Sequence, residues 1–138
     1  LSEAHGDWGL ELDHHGDGVG EWDSDRLEQV FSNLVGNALQ HGLREGGVRV
    51  KLDGTDSQHV RVRVHNHGAV PPELIPTLFE PLLAGARPRD KTRGLGLGLF
   101  IAREIAEAHG GSIDLESAEE SGTTFTVVLP RFSRRSTR

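Results

Sequence analysis

Cysteine is absent from this 138-residue chain. That removes disulfide scaffolds, thiol nucleophiles and cysteine-ligated zinc. Long apolar runs are absent too. The longest are only a few residues, against the roughly 20 that a membrane-spanning helix needs. The opening LSEAHGDWG lacks the basic-then-apolar order of a signal peptide, so a cytosolic domain is the expectation. Positive charge is in deficit, with 15 basic residues against 21 acidic ones and a net charge of -6. This argues against general affinity for nucleic acid. Nine of the acids precede residue 29, whereas PRFSRRSTR at the end carries four arginines and no acid. That stretch reads as a solvated basic tail or linker, 131–138, behind a single domain covering 1–130.

What the chain has in excess is glycine, with 18 residues, or about 13% against a usual share of roughly 7%. Their spacing is not that of collagen, and the residues between them are too varied for a flexible linker. Many must therefore serve local backbone geometry.

Residues 9–22 read as a weak hairpin turning at Asp17-Gly18. Asp23, Ser24 or Asp25 can cap a helix over 24–41, with Glu28 completing a capping box if Asp25 is the cap. Within it Leu27, Val30, Phe31, Leu34 and Ala38 form an amphipathic stripe. Val48, Val50 and Leu52, then Val60, Val62 and Val64, alternate as two strands. Residues 72–79 predict a short helix, 84–94 a mobile basic loop, 97–108 a second long helix stopped by Gly110-Gly111, and 112–117 and 123–129 two last strands. This order suggests an α/β two-layer sandwich. A mixed, mostly antiparallel sheet of about five strands would pack on about three helices.

Three polar features stand out on this frame. Asn33, Asn37 and His41 are spaced by four and line up on one helix face. They are either a solvated face or a place where an amide oxygen completes a magnesium shell. In VHNHGAVPPE, 64–73, a strand breaks at Asn66 and Gly68. His65 and His67 share a strand face and could in principle hold a metal, but no acid or third histidine has the spacing to complete a site. In RGLGLGLFIAREI, 93–105, Gly94, Gly96 and Gly98 alternate with Leu95 and Leu97 and lead into a helix. Each glycine costs about 1 kcal/mol in ordered helix, so the triplet needs a reason. Bare backbone amides at a helix start, which phosphates can approach closely, supply one. A dinucleotide fingerprint has different spacing, and no Gly-Lys-Ser/Thr is present for a P-loop.

The order NLVGNALQH, NHGAVP, LFEPL, GLGLGL and GTTF resembles the catalytic ATP-binding domain of sensor histidine kinases. These belong to the GHKL superfamily with its Bergerat fold, and phytochrome-like kinases are among those closest in pattern. The match covers about residues 20–130. The resemblance implies Mg-ATP binding, with Asn37 as the magnesium ligand, Asn33 its partner one turn earlier, and His41 near the nucleotide. It also implies Asn66 in place of the aspartate that reads the adenine amino group, Gly68 in the turn beside it, and Thr123 supporting adenine recognition. Phe79 falls in the short box before the lid. Residues 84–93 resemble the lid, with Arg87, Lys91 and Arg93 available to phosphate, and Gly94 to Gly98 would bracket the phosphates. Val70 stands where the family usually has a second glycine, and Gln40 where a lysine often meets phosphate.

Family ATPases of the gyrase, mismatch-repair and chaperone types carry a glutamate that activates water four residues before the magnesium asparagine. Here that residue is Asn33, which is no base at neutral pH. The resemblance thus implies a histidine kinase half that holds ATP for γ-phosphoryl transfer to a histidine. No catalytic residue is expected in this chain, because none of its eight histidines lies in the acceptor context. The acceptor and dimerisation helices would precede residue 1, and a response regulator receiver domain would be the downstream partner. The isolated domain would be a monomer and the full-length kinase a homodimer, soluble or membrane-anchored. A degenerate module that binds nucleotide or docks on partners without phosphotransfer is the alternative.

Overall fold

The computed structural model describes residues 2–3, 10–41, 47–80 and 90–132. Its strands are β1 (Ser2–Glu3), β2 (Leu10–Gly16), β3 (Val48–Gly54), β4 (His59–Asn66), β5 (Ser112–Ala118) and β6 (Gly122–Pro130). They form one sheet in the order β1-β2-β3-β4-β6-β5. Only β2 and β3 run parallel; the other neighbours are antiparallel. Two helices, α1 (Ser24–His41) and α2 (Asp90–Ala108), and a 3-10 turn at Pro72–Thr77 complete the described elements. This is the expected two-layer α/β sandwich with a mixed sheet, five long strands being joined by the two-residue β1.

Alternation decides which side of each strand is buried. On the face toward the helices, cross-strand rows are apolar: Val64, Phe125 and Leu115 stand opposite one another, then Val62, Val127 and Ile113, then Val60 and Leu129. Leu27, Val30, Leu34 and Ala38 of α1 and Leu99, Ala102, Ile105 and Ala106 of α2 close the same core. The opposite face carries exposed Arg49 and Lys51 and half-exposed Arg61 and Arg63.

The two helices are antiparallel, and hydrogen bonds join them near one end and near the middle. Near the start of α1, the Asp23 backbone N–H donates to His109 Nε2 (3.1 Å), while His109 Nδ1 donates to Ile105 O (2.9 Å). About three turns further on, Asn33 Nδ2 donates to Gly98 O (3.1 Å). Asp23 is the cap of α1, since its carboxylate accepts the Arg26 N–H at 3.1 Å. The capping box starting at Asp25 is therefore not used.

Two expectations change. Residues 9–22 do not form a hairpin: β2 pairs in parallel with β3 instead, and residues 17–22 are not strand. The parallel neighbour offers a full seven-residue ladder, whereas the return stretch 19–22 is tied down by other groups. Trp22 Nε1 donates to Pro130 O (2.8 Å) and Glu21 N–H to Arg131 O (2.7 Å). The second long helix begins at Asp90, not at 97, so residues 90–94 are helical and the glycine triplet lies inside α2. The spacing of Leu95, Leu99, Ala102 and Ala106 continues the apolar stripe backwards, which accounts for the extension. Residues 84–89 of the expected basic loop lie outside the described residues.

The strongest polar anchor of the fold is Arg131, the first residue of the expected tail, which is 7% exposed. Its guanidinium donates to Val19 O (2.7 Å), Gly54 O (2.9 Å) and Asp56 O (2.8 and 3.3 Å). Its own backbone pairs with Gln58 and Glu21. One side chain thus ties the end of β6 to the β3–β4 turn and to the approach to α1. No carboxylate pairs with it among the described residues, so carbonyl dipoles carry its charge. Arg131→Ala is expected to destabilise the chain by more than about 2 kcal/mol, because buried carbonyls lose a charged donor. Arg131→Lys should fall between, since an ammonium cannot reproduce the planar fork. Denaturant unfolding of the three proteins checks both the size and the order.

Candidate functional site

The buried face of the sheet is apolar until its last row. There Asn66 of β4 stands directly opposite Thr123 of β6, and Thr123 directly opposite Ser117 of β5. All three lie on the side that holds the core, because they continue the inward positions Val64, Phe125 and Leu115. Asn66 is 7% exposed and Thr123 3%. Three polar side chains at inward positions demand hydrogen-bond partners, and they find them in the turn that follows β4.

Each one holds a different part of that turn. Asn66 Nδ2 donates to His67 O at 2.8 Å. Thr123 Oγ1 donates to Gly68 O at 2.8 Å. Ser117 Oγ accepts the Val70 N–H at 2.8 Å and lies 3.0 Å from Thr123 Oγ1. Gly68 sits at φ 100°, a conformation that side-chain-bearing residues rarely adopt. Gly122 is equally constrained: its φ is 87°, and a Cβ there would stand 2.4 Å from Asn66 O.

The amide orientation of Asn66 follows from its neighbour. A carbonyl faces Nδ2, so only the NH2 end can point there. Asn66 Oδ1 makes no hydrogen bond with the described residues, which leaves a near-buried acceptor at the position expected to read a base amino group. An aspartate would offer an acceptor too, but a neutral amide accepts more weakly.

The antiparallel helices bring the other expected residues to the same end. α1 ends at His41, shortly before β3 starts beside the polar row, while the start of α2 lies opposite the later turns of α1. Asn33 is half-buried and its amide is spent on Gly98 O. Asn37, one turn on, is also half-buried and forms no hydrogen bond with the described residues. Its amide oxygen is thus uncommitted among the described residues. Gly98 faces Asn33, with space at 3.7 Å for a Cβ. Lys91, Arg93, Gly94, Leu95, Gly96 and Leu97 are helical in backbone, and His41 closes α1, but their side chains, like that of Gln40, lie outside the described residues. Arg87 lies outside them entirely. Within α2 the amides from Gly94 onward point along the helix toward carbonyls four residues back, so the triplet is not an open amide cradle in this conformation.

Phe79 stands edge-on to Phe125, with ring centroids 6.0 Å apart, and the Arg103 guanidinium lies 5.2 Å from its centroid. Thus the short box packs on the core beneath the site. The His65 and His67 rings are 5.3 Å apart, but no group of three or more metal-ligating side chains exists among the described residues. A cavity of about 520 Å³, lined by Trp22, Asp23, Arg26, Ile105 and His109 among others, lies at the opposite end of the helix pair. Ser117 is the site residue that sequence reading missed. The legible signal was a serine in register with Ile113 and Leu115 on an inward alternation.

A family model described as histidine kinase-, DNA gyrase B- and HSP90-like ATPase matches residues 22–133. The chain is 40% identical over 110 residues to the signal transduction histidine-protein kinase AfsQ2 of Streptomyces coelicolor, covering 79% of this chain and 20% of that protein. It is 36% identical over 115 residues to the sensor protein SrrB of Staphylococcus aureus, covering 82% and 20%. The chain thus spans about one fifth of the length of these curated relatives. Among solved structures, the catalytic domain of histidine kinase ThkA superposes with a TM-score of 0.73 at 32% identity, covering 89% of this chain and 80% of that one. Full-length ShkA in complex with AMPPNP superposes at 0.65 with 27% identity, covering 88% and 25%.

The rim of the polar row also titrates. His65 donates from Nε2 to Ser121 O at 2.9 Å. Burial, with His67 and Arg49 nearby, holds its imidazole below the ordinary histidine value. The folded chain then binds this proton less readily than the unfolded chain. Its stabilising share is complete above the ordinary value and is lost as pH falls through the lowered one. Thermal melting should therefore rise with pH as it approaches the ordinary histidine value of about 6.5 from below, and His65→Gln should flatten part of that rise. An identical slope in the variant would contradict this assignment.

Proposed function

This chain belongs to the histidine kinase-, DNA gyrase B- and HSP90-like ATPase family, and we propose that it is the ATP-binding catalytic domain of a two-component sensor histidine kinase. The observation that carries this reading is Asn33. The hydrolytic branches of the superfamily need a base at this position, whereas here an amide stands, donating to Gly98 O at 3.1 Å. No base is supplied to activate water, so the γ-phosphoryl acceptor is a stronger nucleophile from elsewhere. A neutral histidine imidazole meets that need near pH 7.

In the transfer, an imidazole nitrogen forms the new bond to the γ-phosphorus in line with the departing β–γ bridging oxygen, and ADP leaves. This chain's share is positioning. Asn66 Oδ1 accepts from the adenine amino group, and Thr123 backs the base from the neighbouring strand. The residues present fit a magnesium ion, since Asn37 offers a hard neutral oxygen with no competing hydrogen bond among the described residues. Magnesium, when bound, neutralises phosphate charge. Lys91 and Arg93, on the first turns of α2, and Arg87 before them supply further positive charge to the phosphates. The AMPPNP complex of ShkA, an ATP-analogue complex of a structural neighbour, supports an adenine nucleotide as the ligand.

The acceptor histidine, the dimerising helices and the response regulator receiver domain belong to this proposal as partners. So does a cytoplasmic setting; no described helix is long and apolar enough to cross a membrane. The second reading, a nucleotide-binding or docking module without phosphotransfer, draws on one observation: Gly94, Gly96 and Gly98 lie within α2.

Calorimetry with Mg-ADP should register binding to this chain, and Asn37→Ala should weaken it about tenfold or more while removing most of its magnesium dependence. No heat at millimolar nucleotide would end the ATP-site reading. Supplied with γ-labelled ATP, the chain alone should release phosphate negligibly. Joined to its phosphoacceptor helices, it should yield an acid-labile, base-stable phosphoprotein; binding without that label would favour the docking module. Asn66→Asp restores the residue more common in the family, yet it should bind ADP less well than the natural chain. A carboxylate cannot donate to His67 O, and it faces that carbonyl with like charge.

A further inference from the structure

The turn beside the base position is held at three points by three side chains of one cross-strand row. Asn66 holds His67 O, Thr123 holds Gly68 O and Ser117 holds the Val70 N–H. The direction of the chain of hydroxyls is determined. Ser117 Oγ already accepts from Val70 N–H, and the Thr123 hydroxyl proton goes to Gly68 O. Across the 3.0 Å between the two oxygens, Ser117 is therefore the donor and Thr123 the acceptor. Both hydroxyl protons of the row are thereby committed, and one of the two Asn66 amide protons is spent on His67 O. With the NH2 end held at the turn, the acceptors left for a ligand among the described residues are a lone pair on Thr123 Oγ1 and Oδ1 of Asn66.

We propose that Ser117 is a positioning residue that makes this site selective for a base bearing an exocyclic amino group, by holding Thr123 as an acceptor and the turn 67–70 in place. This rests on the adenine-nucleotide reading of the site. A purine with a carbonyl oxygen at the same ring position sets an acceptor against Asn66 Oδ1 and Thr123 Oγ1, and turning the Asn66 NH2 toward it would cost the bond to His67 O; such a mismatch discriminates more strongly than a lost contact. Ser117 also accounts for Val70, where the family usually has glycine. Val70 packs against the core, and its amide is satisfied by the serine rather than by a freer backbone path.

The test compares Ser117→Thr, which keeps the hydroxyl, with Ser117→Val, which has nearly the same shape without it. Titration with Mg-ADP and Mg-IDP, below the melting temperature of each protein, gives the ratio of affinities. Hydrogen exchange at the Val70 amide, measured without nucleotide, reports the turn directly. The natural chain and the Thr variant should prefer ADP and protect Val70. The Val variant should lose about five- to tenfold in ADP affinity, the worth of about one hydrogen bond, together with most of the ADP/IDP preference and the Val70 protection. If the Val variant keeps the natural ADP/IDP ratio, the inference fails while the nucleotide reading stands. If Val70 exchanges as fast in the natural chain as in the Val variant, the positioning role fails whatever binds. If the natural chain binds neither nucleotide, the adenine reading falls and the selectivity role falls with it.

Discussion

Antiparallel pairing admits no half-steps: a slip of one residue between β4 and β6 would turn every inward side chain outward. The buried valines, Phe125 and Leu129 make such a slip prohibitively costly, so the apolar rows hold the register. The same register then sets Asn66, Thr123 and Ser117 shoulder to shoulder at the end of the sheet. The site borrows its precision from the core. Its polar side chains stay near-buried because the apolar rows beneath them do not move, and each makes a hydrogen bond to the turn it holds.

The helices apply a second constraint. Asp23 with His109 at one end, and Asn33 with Gly98 near the middle, fix α1 and α2 as antiparallel neighbours. The later turns of α1 and the early turns of α2 therefore lie together. Asn33 serves this packing with the amide that takes the place of a hydrolytic base. Under the proposed function this one residue both joins the helices and withholds water activation, while Asn37, one turn away, forms no hydrogen bond with the described residues. The glycine triplet belongs to the same region. Three residues costing about 1 kcal/mol each in a helix make the first turns of α2 its least favourable stretch. A shift between helix and open loop there is correspondingly inexpensive.

Much of this was legible from pattern. The stripe from Leu27 to Ala38 and the alternation through β3, β4 and β6 announce a sheet with helices on one face. The ordered boxes around Asn37, Asn66, Gly94–Gly98 and Thr123 announce the family, because each couples a residue type to an element. The hairpin expected over 9–22 failed because a turn signal cannot reveal that a parallel neighbour is available. α2 starts earlier than glycine propensity alone predicts, because the apolar spacing continues back through Leu95. Arg131, at the start of the expected solvated tail, is buried, since carbonyls from two distant segments, residue 19 and the 54–56 turn, converge on it.

What the sequence determined by itself is local: which stretches alternate, which spiral, where glycine must open a turn, and which residue types a nucleotide site requires. The tertiary structure alone decided that Ser117 joins Asn66 and Thr123, that the Asn66 amide points its nitrogen at His67 O, and that Asn33 is spent on Gly98. Each of these is a contact between residues far apart in the chain. Strand order and helix direction set such contacts, and periodicity carries no record of either.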